Sequence, residues 1–136
     1  MNDAVMLIGE GFAGNGVNAA HINTVLGLRE GSVGTAWATA LATPSVGHTR
    51  FVVVNEPNQP VTPMTLFVNK AAIENDRHGT LTWGAAQAGI AAGVGEAIRN
   101  GHMPSDLNDY VLITAVWVNP AASDEEAVYA NNRDAT

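Results

Sequence analysis

Apolar and polar positions alternate along Ala19–Leu28. In an extended chain Ala20, Ile22, Thr24 and Leu26 fall on one face, and Ala19, His21, Asn23 and Val25 on the other. This period of two predicts a strand and points His21 and Asn23 the same way. Val5–Ile8 reads as a preceding strand, and Gly9–Asn18 as a glycine-rich connection that cannot hold a helix. Ser32 can cap a helix running to about Ala42, with Pro44 as its stop. Arg50–Asn55 is short and β-branched, the pattern of an interior strand. Pro57, Pro60 and Pro63 make Glu56–Pro63 a stiff, extended connection into a strand over Met64–Ala72. Met64, Leu66, Val68, Lys70 and Ala72 share one face of that strand.

The second half changes period. Asn75–Trp83 is ambiguous, because Gly79, Thr80 and Thr82 weaken a helix there. From Gly84 to Asn100 the spacing is helical, with Ile90, Val94 and Ile98 in an apolar line and Ala85, Gly89, Gly93 and Ala97 in a line of small residues. Each glycine in a helix costs about 1 kcal/mol relative to alanine, so this stripe implies close approach to the sheet or to another helix. Asn100-Gly101 is a C-terminal stop. Tyr110–Val118 is apolar on both faces and should be a central strand. Ser123–Arg133 opens with a capping-box pattern, Ser-Asp-Glu-Glu. The order β, β, α, β, β, α, β, α predicts one α/β domain over 1–136, a mixed sheet with helices packed on one face.

Composition narrows the function. Of 136 residues, 14% are charged against roughly 25% in an average domain, and 14 are glycine, which suggests a chain that hides surface by self-association. The net charge is −7 and the six basic residues are scattered singly, so no stripe exists to neutralise phosphates; nucleic-acid binding is not expected. No cysteine is present, which removes disulfides, thiolate metal sites and cysteine nucleophiles. No run reaches the ~18 apolar residues of a membrane span. Met1-Asn2-Asp3-Ala4 lacks the basic region of a signal peptide, so a cytoplasmic location is expected.

Candidate chemistry is sparse. Gly9-x-Gly11-x-x-Gly14 formally matches a dinucleotide fingerprint, but Gly14-Asn15-Gly16 prevents the helix that must hold the pyrophosphate. His21 is an imidazole that can exchange a proton near neutral pH; the competing reading is a histidine hydrogen-bonded at a surface or interface. Lys70, the single lysine, either snorkels to solvent or binds an anionic or carbonyl-bearing ligand, and a buried amine there could form a Schiff base. Gln87 stands among small residues where a ligand could approach, or is an exposed helix position. No histidine pair has the helical i, i+4 spacing of a metal site, and no metal is expected.

These stretches carry a resemblance. Gly9-Glu10, Gly16, Ala20-His21-Ile22 and Gly27-x-Arg29 resemble the start of the formaldehyde-activating enzyme family. Pro57-Asn58-x-Pro60-x-x-Pro63-x-Thr65-Leu66-x-x-Asn69-Lys70 resembles its middle, and Gly84-x-Ala86-Gln87-x-Gly89 continues the match in order. The resemblance implies condensation of formaldehyde with tetrahydromethanopterin, or a related reduced pterin as co-substrate, to the methylene derivative and water. It implies a left-handed βαβ crossover as in the second domain of a small-subunit ribosomal protein, and a ring-like homopentamer or dimer of pentamers with the pterin site between subunits. It places His21 at the proton donor and Asn23, Val52, Lys70, Ala72 and Gln87 at substrate-contacting positions. The chain departs from the family pattern with Asn23 for aspartate, Ala72 for threonine, Val52 for leucine and Trp37 for a smaller aromatic. Asn23 and Ala72 favour the alternative of a non-catalytic sensor or carrier for a pterin or aldehyde adduct.

Overall fold

A computed structural model describes residues 6–43 and 45–136. The expectations placed on Met1–Val5 and on Pro44 lie outside the described residues. Strand β1 (Met6–Ala13) pairs antiparallel with β2 (Ala20–Leu28), and α1 (Ser32–Ala42) follows. Next come β3 (Phe51–Val52), β4 (Val54–Glu56), β5 (Gln59–Pro60) and β6 (Met64–Asn69). A helical stretch opens with α2 (Asp76–Thr80), passes through a π turn at Leu81–Ala86 and continues as α3 (Gln87–Arg99). Strand β7 (Tyr110–Trp117) and helix α4 (Glu125–Ala135) complete the chain. The five-stranded sheet runs β1-β2-β7-β6-β3, with β7 parallel to β6 and antiparallel to β2; β4 and β5 form a separate hairpin.

The main core follows from the even face of β2. Ala20, Ile22 and Leu26 are buried with Phe67 of β6 and Leu112 and Val116 of β7, against Ala86, Ile90 and Val94 on the π turn and α3 and Val128 of α4. The stripe of small residues on α3 meets α4: a Cβ on Gly89 would stand 2.6 Å from the Tyr129 carbonyl oxygen, and one on Gly93 2.7 Å from that of Arg133. Among the described residues no helix is long and apolar enough to cross a membrane.

Several expectations need correction. Helices cover both faces of the sheet, not one. Helices α3 and α4 share the core of Ile22 and Phe67, whereas α1 lies against β2 and β7 with its buried Val33 outside that core. Leu66 and Val111, which alternate to the opposite face, are also buried outside it. The reason is legible in β7, whose two apolar faces each require cover. β1 does not stop at Ile8 but continues to Ala13, because Gly11 is needed in the strand; any Cβ there would meet the Ala135 carbonyl of α4. Arg50–Asn55 is not interior. Val53 donates to Thr65 but accepts from Val61, so the chain leaves the sheet edge for the β4–β5 hairpin. Its turn at Pro57-Asn58, with Asn58 at φ 67°, replaces the expected extended connection. Gly31, not Ser32, precedes α1, and Asp124, not Ser123, caps α4 by accepting from the Ala127 N–H at 3.1 Å.

Candidate active site

The antiparallel register of β1 and β2 sets Phe12 opposite His21 and Glu10 opposite Asn23. All four side chains therefore rise from the same face, away from the main core. Lys70 follows the last residue of β6 and arrives on that face from across β7, its backbone N–H bonded to the Val116 carbonyl at 2.8 Å. β2 and the end of β6 thus bring together His21, Asn23 and Lys70, with Glu10 and Phe12 of β1 beside them.

The contacts are specific. His21 Nε2 lies 2.7 Å from Glu10 Oε2, and Lys70 Nζ lies 3.4 Å from His21 Nδ1. Lys70 Nζ also donates to Asn23 Oδ1. The Phe12 ring stacks on the imidazole with centroids 4.0 Å apart and planes 4° from parallel. The His21 side chain is 26% exposed and Glu10 56%, so the ring is held but reachable. The His21 hydrogen bond keeps the Glu10 carboxyl below the usual range, with smaller help from Asn23 and the Lys70 charge. Burial pushes Lys70 below the ordinary lysine range, partly opposed by the Glu10 carboxylate. The set combines a carboxylate, an imidazole and an amine in one hydrogen-bonded row, suited to moving a proton at a bound small molecule.

The other expected contact residues stand apart. Val52 is on β3 opposite Leu66, four positions before Lys70 along β6, about 13 Å at strand spacing. Ala72 is exposed beside Gly47. Gln87 opens α3 on the opposite side of the sheet, where its Oε1 accepts from the Val54 N–H at 3.1 Å and its Nε2 donates to the Trp83 carbonyl at 2.7 Å. It lines a groove of about 330 Å³ with Thr49, Phe51 and Trp83. A larger hollow of about 1080 Å³ lies between the π turn and α4, lined by Leu81, Gly84 and Tyr129, and includes none of the His21 group. Glu10 and Phe12 escaped the sequence reading because glycines hid the strand. The signal was there: Ile8, Glu10 and Phe12 alternate with Gly9 and Gly11 at period two. Among the described residues no three of His, Asp or Glu converge to hold a metal ion.

The chain is similar to proteins of known family. A family model described as formaldehyde-activating enzyme (Fae) matches residues 8–136. The chain is 39% identical over 131 residues to 5,6,7,8-tetrahydromethanopterin hydro-lyase of Methanosarcina barkeri, covering 96% of this chain and 74% of that protein. It is 38% identical over 130 residues to the bifunctional enzyme Fae/Hps of Methanosphaera stadtmanae, 95% of this chain and 32% of the other. The Methanococcoides burtonii enzyme of the same name is 36% identical over 133 residues, 97% of this chain and 34% of the other. The chain thus spans about a third of the bifunctional relatives' length. It belongs to the formaldehyde-activating enzyme family.

Proposed function

We propose that the chain condenses formaldehyde with a reduced pterin of the tetrahydromethanopterin type, giving the methylene derivative and water, with His21 as the proton donor. The observation that carries this reading is the imidazole held between Glu10 and Lys70 on an accessible face. The pterin's secondary amine adds to the carbonyl carbon, and its proton is lost as the oxygen becomes a hydroxyl. Loss of that hydroxyl from the carbinolamine is slow unless an acid protonates it, and a placed imidazolium contributes about 10²–10⁴-fold. The resulting iminium closes on the second nitrogen, whose proton returns to the site. Formaldehyde reacts with amines unaided, so holding the pterin in place supplies much of the rest. The name of the Methanosarcina barkeri relative, a tetrahydromethanopterin hydro-lyase, supports this reading.

Self-association belongs to the proposal. β1 is an edge strand, and its Met6 (46%), Leu7 (55%), Ile8 (73%) and Phe12 (71%) are exposed. An open edge with apolar side chains favours pairing with another copy. We propose a homo-oligomer, a pentamer or a dimer of pentamers, with the His21 group and the Gln87 groove of neighbouring copies facing one pterin. The β6–α3–β7 connection goes with the left-handed crossover of the family. Supporting this, Lys70 turns its N–H toward β7 while its side chain lies on the face opposite α3. For an L-residue that combination sets β7 to the left of β6 when α3 is toward the viewer, against the usual right hand.

A second reading has one observation in its favour: Asn23 supplies a neutral amide where the family resemblance puts a carboxylate. On that reading the chain binds a pterin or aldehyde adduct without turnover. Methylene-pterin formation above the spontaneous rate, compared between wild type and His21→Ala, decides. Equal rates would remove the catalytic proposal, and calorimetric heat with the reduced pterin would then leave the binding one.

A further inference from the structure

We propose that Glu10 is the positioning residue of this site and that it makes Nδ1 of His21, the nitrogen facing Lys70, the atom at which the proton is exchanged. This rests on the reading of His21 as the acid and adds to it a residue and an atom.

Donors and acceptors fix the tautomer of the His21 ring. An ionised carboxylate only accepts hydrogen bonds and an ammonium only donates them. Glu10 Oε2 stands 2.7 Å from Nε2 and Lys70 Nζ stands 3.4 Å from Nδ1. The neutral ring therefore carries its hydrogen on Nε2, where it donates to Glu10, and keeps its lone pair on Nδ1. Phe12, stacked on the ring, opposes its rotation. The opposite tautomer would set two acceptors together on the Glu10 side and two donors together on the Lys70 side.

Charge sharpens the point. A second proton on the ring must reside on Nδ1, against the Lys70 amine. Among the described groups facing His21, only Glu10 from β1 offsets that repulsion. Asn23 and Trp117, the latter its partner on β7, are uncharged, and α1 has no charged residue. Glu10 thus supplies the charge that lets the ring act as an acid, without touching the reacting atoms itself.

The step balances. The Nδ1 proton passes to the carbinolamine hydroxyl as the carbon–oxygen bond breaks with its electron pair to oxygen, and water leaves. The adjacent nitrogen's lone pair forms the carbon–nitrogen double bond. The ring is left neutral with its hydrogen on Nε2, and the proton released at ring closure restores Nδ1. The hydroxyl of the one-carbon unit accordingly sits within reach of both Nδ1 and Lys70 Nζ.

Nitrogen-15 NMR of the full-length protein reads the tautomer directly, without substrate. The expected neutral form of His21 carries its hydrogen on Nε2, and a ring protonated on Nδ1 would overturn the proposal. In kinetics, Glu10→Gln should lower kcat with little change in the KM for pterin. It should also move the alkaline limb of the kcat–pH profile down by about one pH unit, tenfold in proton affinity. Glu10→Asp should restore part of that movement. An alkaline limb that stays in place in an active, folded Glu10→Gln protein would overturn the positioning role while leaving the condensation reading standing. A wild-type chain that never exceeds the spontaneous rate would instead fail the condensation reading.

Discussion

His78 donates its Nε2–H to the carbonyl oxygen of Val118 at 2.8 Å and accepts the Glu74 backbone N–H on Nδ1 at 3.2 Å. Only 1% of this histidine is exposed, and it ties the start of the α2 helical stretch to the end of β7. Its role is structural, and His78→Phe should cost about 1–3 kcal/mol because it leaves the Val118 carbonyl unpaired. Chemical denaturation would register the loss. An unchanged midpoint would show that the bond adds nothing net.

Gly11 and Gly84 make a matched pair. A Cβ on Gly11 would run into the Ala135 carbonyl, whereas Gly84 has nothing within 4 Å. Gly11→Ala is expected to destabilise by about 1–3 kcal/mol, the usual cost of overpacking. Gly84→Ala is expected to be neutral or stabilising by up to about 1 kcal/mol. Thermal unfolding of the two variants side by side tests both.

Asn23 lies against Lys70 with no charge to offer. Asn23→Asp should tighten reduced-pterin binding about tenfold, since hydrogen bonds to charged groups contribute about 1.5–3 kcal/mol. A steady-state KM that does not move would mean that the pterin does not meet this position.

Lys70 gives a pH signature with a definite sign. Burial lowers its proton affinity in the fold from the ordinary value of 10.5, so the unfolded chain binds that proton more tightly. Its charge opposes folding below the lowered value. Stability then rises as pH climbs from the lowered value to 10.5. Lys70→Met should be relatively more stable at neutral pH, and its advantage over wild type should shrink through that window. Denaturation midpoints that stay parallel across the range would contradict this.

Much of the scaffold was legible in the chain. β2 announced itself by period, β7 by an apolar run on both faces and α1 by its polar start, and the Gly89–Gly93 stripe implied close approach to the sheet or to another helix, which proved to be α4. Glycine defeated the reading of β1. Gly9 and Gly11 mark a loop by propensity, yet here they are tolerated because α4 and Thr24 press on the strand. The β3–β4 region failed for a different reason. β-branched residues report burial, and Val53 is fully buried while leaving the sheet for a hairpin. In the site, alternation placed His21 beside Asn23 correctly. Their meeting with Lys70 depends on strand order, which the local pattern does not encode.

The separation of Gln87 from His21 by the thickness of the sheet has a genetic consequence. If neighbouring copies share each pterin, chains carrying His21→Ala and chains carrying Gln87→Ala would be inactive alone yet regain turnover when co-assembled, because mixed contacts would include some with both residues intact. A catalytic unit confined to one chain would show no such complementation.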